Sequence, residues 1–413
     1  MTQGKLKDNK WDVAVVGGGA SGMTAAITAA ESGKKVVLLE GQPRVGRKLL
    51  ATGNGRCNIS NTQAAADKYR SDAPETVSAI IKKTSPQEVM AFLSRCGIFC
   101  MTEREGRMYP RSEQAAAVLD MLRLRMGHLG MQVLCDERVG DIRKRGDVFY
   151  IAHTNGTVIA NNVIIACGSQ AAPQLGGCCD GYTLLESMGH KINRPKAALA
   201  PVLSDKELLR SLKGLRAHCS VSLVRDGEVY HRESGEVQFN EDSLSGIAVF
   251  QLSARLARYG CKGAELSLDL MPELEQSELE KVLTERRDEL SYLSLEDYLT
   301  GLLNKRIGVY IMGATGCKPL SREASSLTAQ EIKKIAAMIK QWRFPVRGIA
   351  GWKQAQLASG GASLRRFDKG LQSTVVKGLF ACGEVLDCDS DCGGFNLHWA
   401  WCSGITAGRL GAK

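Results

Sequence analysis

The sequence predicts an α/β protein that begins with a Rossmann-like βαβ unit, and two observations predict it. An apolar strand at residues 11–16 leads directly into the glycine run 17–22 and then into an alanine-rich helical stretch at residues 23–32. A second apolar strand, residues 35–39, ends at Glu40. The first strand is followed by a glycine turn and a helix, and the second strand ends at an acidic residue. This order is typical of a nucleotide-binding fold.

The glycine run fits the pattern GxGxxG between a strand and a helix. Gly17 permits the tight turn, Gly19 lets the backbone approach a pyrophosphate, and Gly22 allows the helix to pack closely on the strand. Ala20 and Ser21 stand at the start of the helix, where free N–H groups and the positive dipole end favour phosphate. The run therefore predicts a dinucleotide site.

Glu40 lies at the tip of the second strand, 18 residues after Gly22, and is followed by Gly41. A carboxylate at this place can accept both hydroxyls of an adenosine ribose and would repel a ribose 2′-phosphate. The site should therefore take FAD or NAD, but not NADP.

Two further glycine-rich segments favour FAD over NAD. The first, residues 47–58, combines glycines with amide and cationic donors that can wrap a pyrophosphate and reach a flavin ring, although a solvated surface loop is the alternative reading. Its predicted cofactor contacts are Arg47, Lys48, Gly53, Asn54, Arg56, Cys57 and Asn58.

The second segment begins with a strand-like run that ends at Gly383 and Glu384, where Glu384 can meet the polyol of a flavin. A final helix from Phe395 to about Leu410 can point its N-terminus at the flavin's pyrimidine edge and stabilise the reduced, anionic flavin. A hairpin at 148–160 and a strand at 162–168 suggest a β-meander returning to the first sheet. Predicted contacts here are Val139, Ala166, Gly168, Gly383, Glu384, Asp387, Gly394, Asn396 and Leu397.

The middle of the chain predicts two insertions into the FAD-binding domain. Short β-like runs favour a β-rich inserted domain, and charged, leucine-rich segments favour a helical subdomain. The predicted boundaries are 1–195 and 355–413 for the FAD-binding domain, 196–270 and 342–354 for the β-rich insertion, and 271–341 for the helical subdomain.

These motifs together resemble the bacterial FAD-dependent oxidoreductases of the aminoacetone oxidase-type family, which includes a dehydro-bile-acid reductase. The resemblance covers nearly the whole chain and rests on residues 17–22, 46–58, 383–387 and 393–397, with weaker support at 109–112, 181–182 and 189–190. It implies a glutathione-reductase-like FAD domain with a β-meander, interrupted by the two insertions. It implies FAD contacts at Gly17, Gly19, Gly22, Glu40, Lys48, Asn54, Gly383, Glu384, Asp387 and Asn396.

Two departures from the family pattern leave the substrate open. His398 stands where glutamine is usual, and Ala358-Ser359-Gly360-Gly361-Ala362 replaces a turn that contains threonine and ends in GGV. Candidate proton donors or substrate anchors are Tyr109, Arg111 and His398, because a phenol, a guanidinium and an imidazole can donate a proton, clamp a carboxylate and shuttle protons.

Composition limits the class of protein. Hydrophobic residues make up 44% of the chain, and no apolar run approaches the ~18 residues needed to span a bilayer, so we expect a cytoplasmic protein that does not enter a membrane. The spacing of the 14 cysteines matches neither a zinc site nor a CxxC motif, so reduced structural thiols and no metal are expected. The net charge of +10 is spread out, which favours anionic small molecules over nucleic acid. The sequence does not indicate the oligomeric state.

The leading hypothesis is that NAD(P)H reduces the flavin, which then reduces an enone-like small molecule through N5 hydride transfer. The chain has no second GxGxxG, so the nicotinamide should visit the flavin only transiently. The alternatives are an oxidase of a small amine or amino-ketone that forms hydrogen peroxide, an RNA-modifying flavoprotein, and a flavin redox sensor.

Overall fold

The computed structural model describes residues 10–411, which divide into two compact units. One consists of Met1–Ala198 with Trp352–Lys413, and the other of Leu199–Gly351. We refer to them as the nucleotide unit and the inserted unit.

The strands are β1 Lys10–Val16, β2 Val36–Leu39, β3 Ser60–Asn61, β4 Tyr69–Ser71, β5 Cys100–Thr102, β6 Arg107–Pro110, β7 Gln132–Leu134, β8 Val139–Arg145, β9 Val148–His153, β10 Gly156–Ile165, β11 Ile192–Ala198, β12 Val202–Leu203, β13 Arg216–Arg225, β14 Glu228–Phe239, β15 Ser243–Ser245, β16 Ala264–Asp269, β17 Trp342–Pro345, β18 Gly348–Ile349, β19 Leu357–Ala362, β20 Leu379–Ala381 and β21 Cys388–Ser390. The helices are α1 Ala20–Glu31, α2 Arg47–Leu50, α3 Pro74–Lys83, α4 Pro86–Arg95, α5 Ala115–His128, α6 Asp180–Ser187, α7 Lys206–Arg210, α8 Ile247–Tyr259, α9 Gln276–Glu289, α10 Lys305–Ala314, α11 Ala329–Lys340 and α12 Phe395–Gly408.

The nucleotide unit is built on a seven-stranded sheet in the order β7-β2-β1-β10-β9-β8, with β20 also paired to β10. Strands β7, β2, β1, β10 and β20 are parallel, whereas β8 and β9 form an antiparallel meander that leads into β10. Strand β2 and residues 13–16 of β1 are buried, as is usual for parallel strands covered on both faces, and their sequence is accordingly apolar. The Rossmann-like fold predicted from the sequence is confirmed.

Helices α1 and α12 lie unusually close to each other. A Cβ added at Gly404 would lie 2.7 Å from the carbonyl oxygen of Ser21, and one added at Gly408 would lie 2.5 Å from that of Ala25. These two glycines therefore allow α12 to pack against the backbone of α1. The C-terminal helix is thus in direct contact with the helix that begins in the nucleotide-binding motif.

Three small sheets shape the rest of the nucleotide unit. Their strand orders are β3-β6-β5, β21-β4 and β11-β19. In the first of them, Ser60 pairs with Met108, and Met101 pairs with Tyr109. The segment that follows residues 47–58 is therefore fixed beside the strand that carries Tyr109.

The inserted unit has a seven-stranded sheet in the order β17-β16-β13-β14-β15-β12-β18. Its long hairpin, β13 and β14, turns at residues 226–227, where Asp226 and Gly227 both have positive φ. Strand residues such as Val221 and Phe239 share one core with helical residues such as Leu283 and Ile335. The β-rich and helical segments that the sequence separates therefore belong to one compact unit.

Residues 47–58 differ from the predicted loop, because α2 and a 3-10 turn at Thr52–Gly55 fold within them. None of the helices within residues 10–411 is both long and apolar enough to cross a bilayer.

Candidate cofactor and active site

The carboxyl edge of the parallel strands gathers the predicted nucleotide-binding segments. Strand β1 ends at Val16 before Gly17, β2 ends at Leu39 before Glu40, and β20 ends at Ala381 just before Gly383. Backbone hydrogen bonds tie these ends together, including Gly17 N to Leu39 O at 2.8 Å. Because ligands of open α/β sheets bind at this edge, the fold places the segments where a dinucleotide would lie.

The glycine turn has the geometry that a pyrophosphate requires. Gly17 has φ +107°, and a Cβ on Gly22 would lie 1.9 Å from the Gly17 carbonyl oxygen, so a larger residue at position 22 would push α1 off the turn. A Cβ on Gly19 would meet nothing within 4 Å, so open space lies above it. Helix α1 begins at Ala20 without a side-chain cap, which leaves the N–H groups around Ser21 available to an anion.

Glu40 lies beside the glycine turn with its carboxylate already oriented. One oxygen accepts from Gly18 N at 2.7 Å and the other from Gln42 N at 2.8 Å. Burial raises the pKa of the Glu40 carboxyl, and these two N–H groups oppose the rise. A carboxylate has about four acceptor positions, so two remain for ribose hydroxyls.

Lys48 and Glu384 bring the two remote segments together. Lys48 Nζ lies 2.6 Å from Glu384 Oε2, while Glu384 Oε1 accepts from Ser169 Oγ at 2.6 Å and from Ala358 N at 2.9 Å. The Glu384 carboxylate, which the sequence predicts to meet the flavin polyol, is thus fixed by three hydrogen-bonding partners. The residues that hold it come from α2, from the loop after β10 and from β19.

Gly383 packs directly on the first turn of α1. It has φ +78°, and a Cβ there would lie 2.2 Å from Ser21 Oγ. Its N–H donates to Ser403 Oγ at 2.9 Å, and its carbonyl accepts from Trp399 Nε1 at 3.2 Å. Helix α12 therefore fixes the position of the 383–384 turn relative to the GxGxxG turn and the start of α1.

The segment from Gly53 to Cys57 forms a strained, left-handed turn. Gly53, Asn54, Gly55 and Cys57 all have positive φ, and Asn54 is exposed. Burial raises the pKa of the Cys57 thiol to about 12, so this side chain is a packed neutral thiol rather than an accessible cofactor ligand. Any contact from Cys57 to a cofactor must come from its backbone.

The arginines in this region already have protein partners. Arg47 donates to the side chain of Gln42 and to Gln174 O at 3.0 Å. Arg56 forms ion pairs with Glu103 and Glu113.

The start of α12 is fixed by amide side chains that the sequence assigned to the cofactor. Asn396 accepts from Ser390 N at 2.9 Å and donates to the carbonyls of Ser390 and Asp391. The Asn58 amide, in the orientation that satisfies its neighbours, accepts from Gly394 N at 3.1 Å. Both amides therefore stabilise the loop and the start of the helix, and their contact with the flavin stays a prediction.

The remaining predicted contacts vary in exposure. Gly41 is exposed, Gly168 and Leu397 are half-buried, and Val139 and Ala166 are buried within or just after strands. Asp387 is 1% exposed, and its carboxylate accepts from Asn193 Nδ2 at 2.7 Å.

The three predicted catalytic candidates differ sharply in access. His398 is fully buried, contacts Ser60 Oγ at 2.9 Å and Cys402 Sγ at 3.2 Å, and has a pKa lowered to about 4 by burial. This places His398 in the core as a neutral structural residue, so it lacks the solvent contact that a proton shuttle needs. Arg111 is exposed, and Tyr109 is 8% exposed.

Sequence reasoning missed Ser169 and Tyr182. Ser169 bonds Glu384, and Tyr182 is a buried phenol whose pKa is raised by burial and by the nearby Glu384. Both residues lie far from Glu384 along the chain. The family resemblance includes Gly181 and Tyr182, but the sequence does not place Ser169 or Tyr182 beside Glu384.

Comparison with known proteins identifies the family of the chain. The family described as "HI0933-like protein Rossmann domain" matches residues 11–410. A 3-dehydro-bile acid delta(4,6)-reductase of Clostridium scindens is 32% identical over 97% of this chain and 99% of its own length. A ribosomal RNA dihydrouridine synthase of Escherichia coli is 27% identical over 95% of this chain and 96% of its own length.

Among solved structures, a 3-ketosteroid delta1-dehydrogenase of Sterolibacterium denitrificans has a similar fold. Its TM-score is 0.51 at 13% identity, and the match covers 97% of this chain and 99% of that chain. The fold, the nucleotide motif and the family match lead to one conclusion. The chain belongs to the HI0933-like Rossmann family and is an FAD-dependent oxidoreductase.

Proposed function

We propose that this protein uses NAD(P)H to reduce a carbon–carbon double bond that is conjugated with a carbonyl group. The observation that carries the proposal is the full-length similarity to a bile acid reductase. That relative's name describes reduction of double bonds in a 3-oxo steroid, and a dihydrouridine synthase saturates a ring double bond conjugated with a carbonyl. The two named reactions therefore share one bond type.

The residues at the carboxyl edge fit FAD. The uncapped start of α1 would hold the pyrophosphate, Glu40 the adenosine ribose, and the Lys48–Glu384 pair the polyol. When bound, FAD supplies hydride transfer between nicotinamide and substrate. The protein's own residues bind and orient the nicotinamide and the substrate. Reduction of the double bond adds a hydride and a proton, so the site also needs a proton source, which is a protein residue or water.

NAD(P)H is proposed as a visiting reductant. The chain has a single GxGxxG, and its strand and helix already form the site assigned to FAD. A nicotinamide would therefore meet the flavin without a Rossmann motif of its own.

A bile-acid-like or other small substrate is favoured over RNA. The relative with the small-molecule name is more similar than the RNA-modifying one, at 32% against 27% identity. RNA remains the second candidate, because the RNA-modifying relative also matches over nearly the full chain. The inserted unit has equal numbers of basic and acidic residues, so the net charge of +10 lies on the nucleotide unit.

An anaerobic flavin assay tests the proposal. NADH or NADPH should bleach the flavin band of the purified protein, and a 3-oxo-Δ4,6 bile acid should then restore it as one of its double bonds is reduced. Recovery only with ribosomal RNA that lacks dihydrouridine would move the assignment to RNA modification. Flavin that is reduced by amines and yields hydrogen peroxide with oxygen would establish an oxidase instead.

A further inference from the structure

Tyr109 differs from the other buried tyrosines in the freedom of its hydroxyl group. Tyr69 and Tyr298 donate to backbone carbonyls, and the Tyr182 hydroxyl is enclosed by protein. Tyr109 is 8% exposed, and its hydroxyl forms no hydrogen bond with any residue within 10–411. Tyr109 thus combines a largely buried side chain with a hydroxyl that is available to a ligand.

The Tyr109 ring is covered by a guanidinium group. Arg56 Cζ lies 4.2 Å from the ring centroid, a distance at which a cation is attracted to the π face. The same guanidinium forms ion pairs with two carboxylates, with Arg56 Nη2 2.5 Å from Glu103 Oε1 and 3.2 Å from Glu113 Oε1. The two carboxylates therefore hold the guanidinium in place over the phenol.

This pair lies against the turn assigned to the flavin. A Cβ added at Gly53 would lie 3.5 Å from Tyr109 Cε1, so the ring supports the left-handed turn directly. Arg56 belongs to the same turn and is three residues from Gly53. A substrate that reaches a flavin bound by this turn would thus come close to the Tyr109 hydroxyl.

We propose that Tyr109 donates the proton that completes double-bond reduction, and that Arg56 is the positioning residue that fixes Tyr109. The inference rests on the proposed function. Hydride adds to the β-carbon of the conjugated substrate, and the electron pair of the double bond moves toward the carbonyl oxygen. The Tyr109 O–H bond then breaks, the α-carbon gains its proton, and the phenolate recovers a proton from water. The hydride comes from NAD(P)H, which is oxidised to NAD(P)⁺.

The arginine suits this role for a second reason. A positive charge at the face of the ring stabilises the phenolate that forms as the proton leaves. The charge is present before the reaction and needs no rearrangement.

The test uses the full-length holoprotein with flavin reduced photochemically, mixed with a 3-oxo-Δ4 bile acid in D₂O. Tyr109→Phe should slow flavin reoxidation by about 10²-fold or more while FAD affinity is unchanged. In the wild type, deuterium should enter the α-carbon, C4, on one face of the ring. In Tyr109→Phe the deuterium should be distributed over both faces, as NMR of the product measures.

Arg56 is tested by comparing two substitutions. Arg56→Met should slow reoxidation about tenfold, and Arg56→Lys should recover part of the loss because it restores a cation near the ring. Arg145 and Tyr150 provide the matched control, since Arg145 Cζ lies 5.5 Å from the Tyr150 ring in the β8–β9 hairpin. Tyr150→Phe and Arg145→Met should leave the rate and the deuterium pattern unchanged.

The possible failures are distinguishable. If the wild-type reduced flavin does not react with the enone, the proposed function fails and this inference fails with it. If the wild type reacts and Tyr109→Phe retains both its rate and its one-faced deuteration, only the assignment of Tyr109 is overturned. If Arg56→Lys is as slow as Arg56→Met, the guanidinium fork rather than the charge positions the phenol, and the electrostatic part of the proposal is wrong.

Discussion

His398 illustrates how burial decides what an ionisable residue can do. An imidazole near a functional helix suggests acid–base chemistry when only the sequence is known. In the structure, its two ring nitrogens contact Ser60 and Cys402 inside the core, and burial lowers its pKa to about 4. The residue therefore affects the stability of the protein rather than its chemistry.

This burial predicts a pH-dependent stability. The unfolded chain binds a proton at His398 near pH 6.5, whereas the folded chain binds it only near pH 4, so stability is lost as pH falls through that window. The loss amounts to about 3 kcal/mol once pH is below both values. His398→Gln should remove this component, measured as the change in urea unfolding free energy between pH 7 and pH 5. His128→Gln, an exposed control on α5, should keep the wild-type dependence; equal pH dependence in the two variants would contradict the prediction.

Glu40 predicts a pH-dependent affinity for FAD. Its pKa is raised by burial, so it gains a proton at a higher pH than an exposed glutamate and then loses acceptor capacity for ribose hydroxyls. FAD affinity should fall as the solution is acidified, and the fall should begin at a higher pH than an exposed glutamate would give. Glu40→Gln should weaken FAD binding by about 2 kcal/mol and flatten the pH dependence, measured by flavin fluorescence on reconstitution. Glu265→Gln in the inserted unit is the control, and an unchanged affinity in Glu40→Gln would remove the ribose assignment.

At the scale of elements, α1 and α12 act together. Gly404 and Gly408 bring α12 against α1, and Trp399 and Ser403 of α12 bond Gly383. Movement of α12 would therefore shift both the nucleotide turn and the 383–384 turn.

The helix contact predicts a large effect from one methyl group. In Gly404→Ala the new Cβ would lie 2.7 Å from the Ser21 carbonyl oxygen, so the helices must separate. We expect a loss of about 2 kcal/mol or more in unfolding free energy together with weaker FAD binding. Gly127→Ala makes the same change in α5, where nothing lies within 4 Å, and should be neutral or stabilising by up to about 1 kcal/mol. Similar stability of the two variants in thermal unfolding would contradict the close contact.

At the scale of the whole molecule, the chain consists of two units with separate sheets and separate cores. The nucleotide unit is discontinuous, whereas the inserted unit is one uninterrupted segment, Leu199–Gly351. A continuous segment with its own core satisfies the usual requirements of an independently folding domain.

The isolated segment 199–351 should therefore fold without flavin. We expect a cooperative thermal transition and far-UV circular dichroism of a mixed α/β domain. Leu268→Asp, which places a charge at a fully buried strand position, is the control that should abolish the transition. A segment that lacks a cooperative transition would show that its core depends on the nucleotide unit.

The sequence alone was sufficient to predict the features that depend on local pattern. The order of β1, the GxGxxG turn, α1, β2 and Glu40 is such a pattern, because all of these elements lie within about thirty residues and their spacing can be read along the chain. The fold class and the FAD-dependent oxidoreductase class followed from that motif and from the family resemblance.

Only the tertiary structure decided which distant residues meet. The packing of sheets and helices brings Ser169 to Glu384, places Arg56 over Tyr109 and buries His398. These contacts join residues that are distant in the sequence, so no local sequence pattern predicts them. The shared core of the β-rich and helical segments was hidden for the same reason, because local periodicity reports the element type and not its packing partner. The physical distinction is that local sterics and hydrogen bonding determine elements, whereas burial and side-chain contacts, which determine residue roles, exist only in the folded chain.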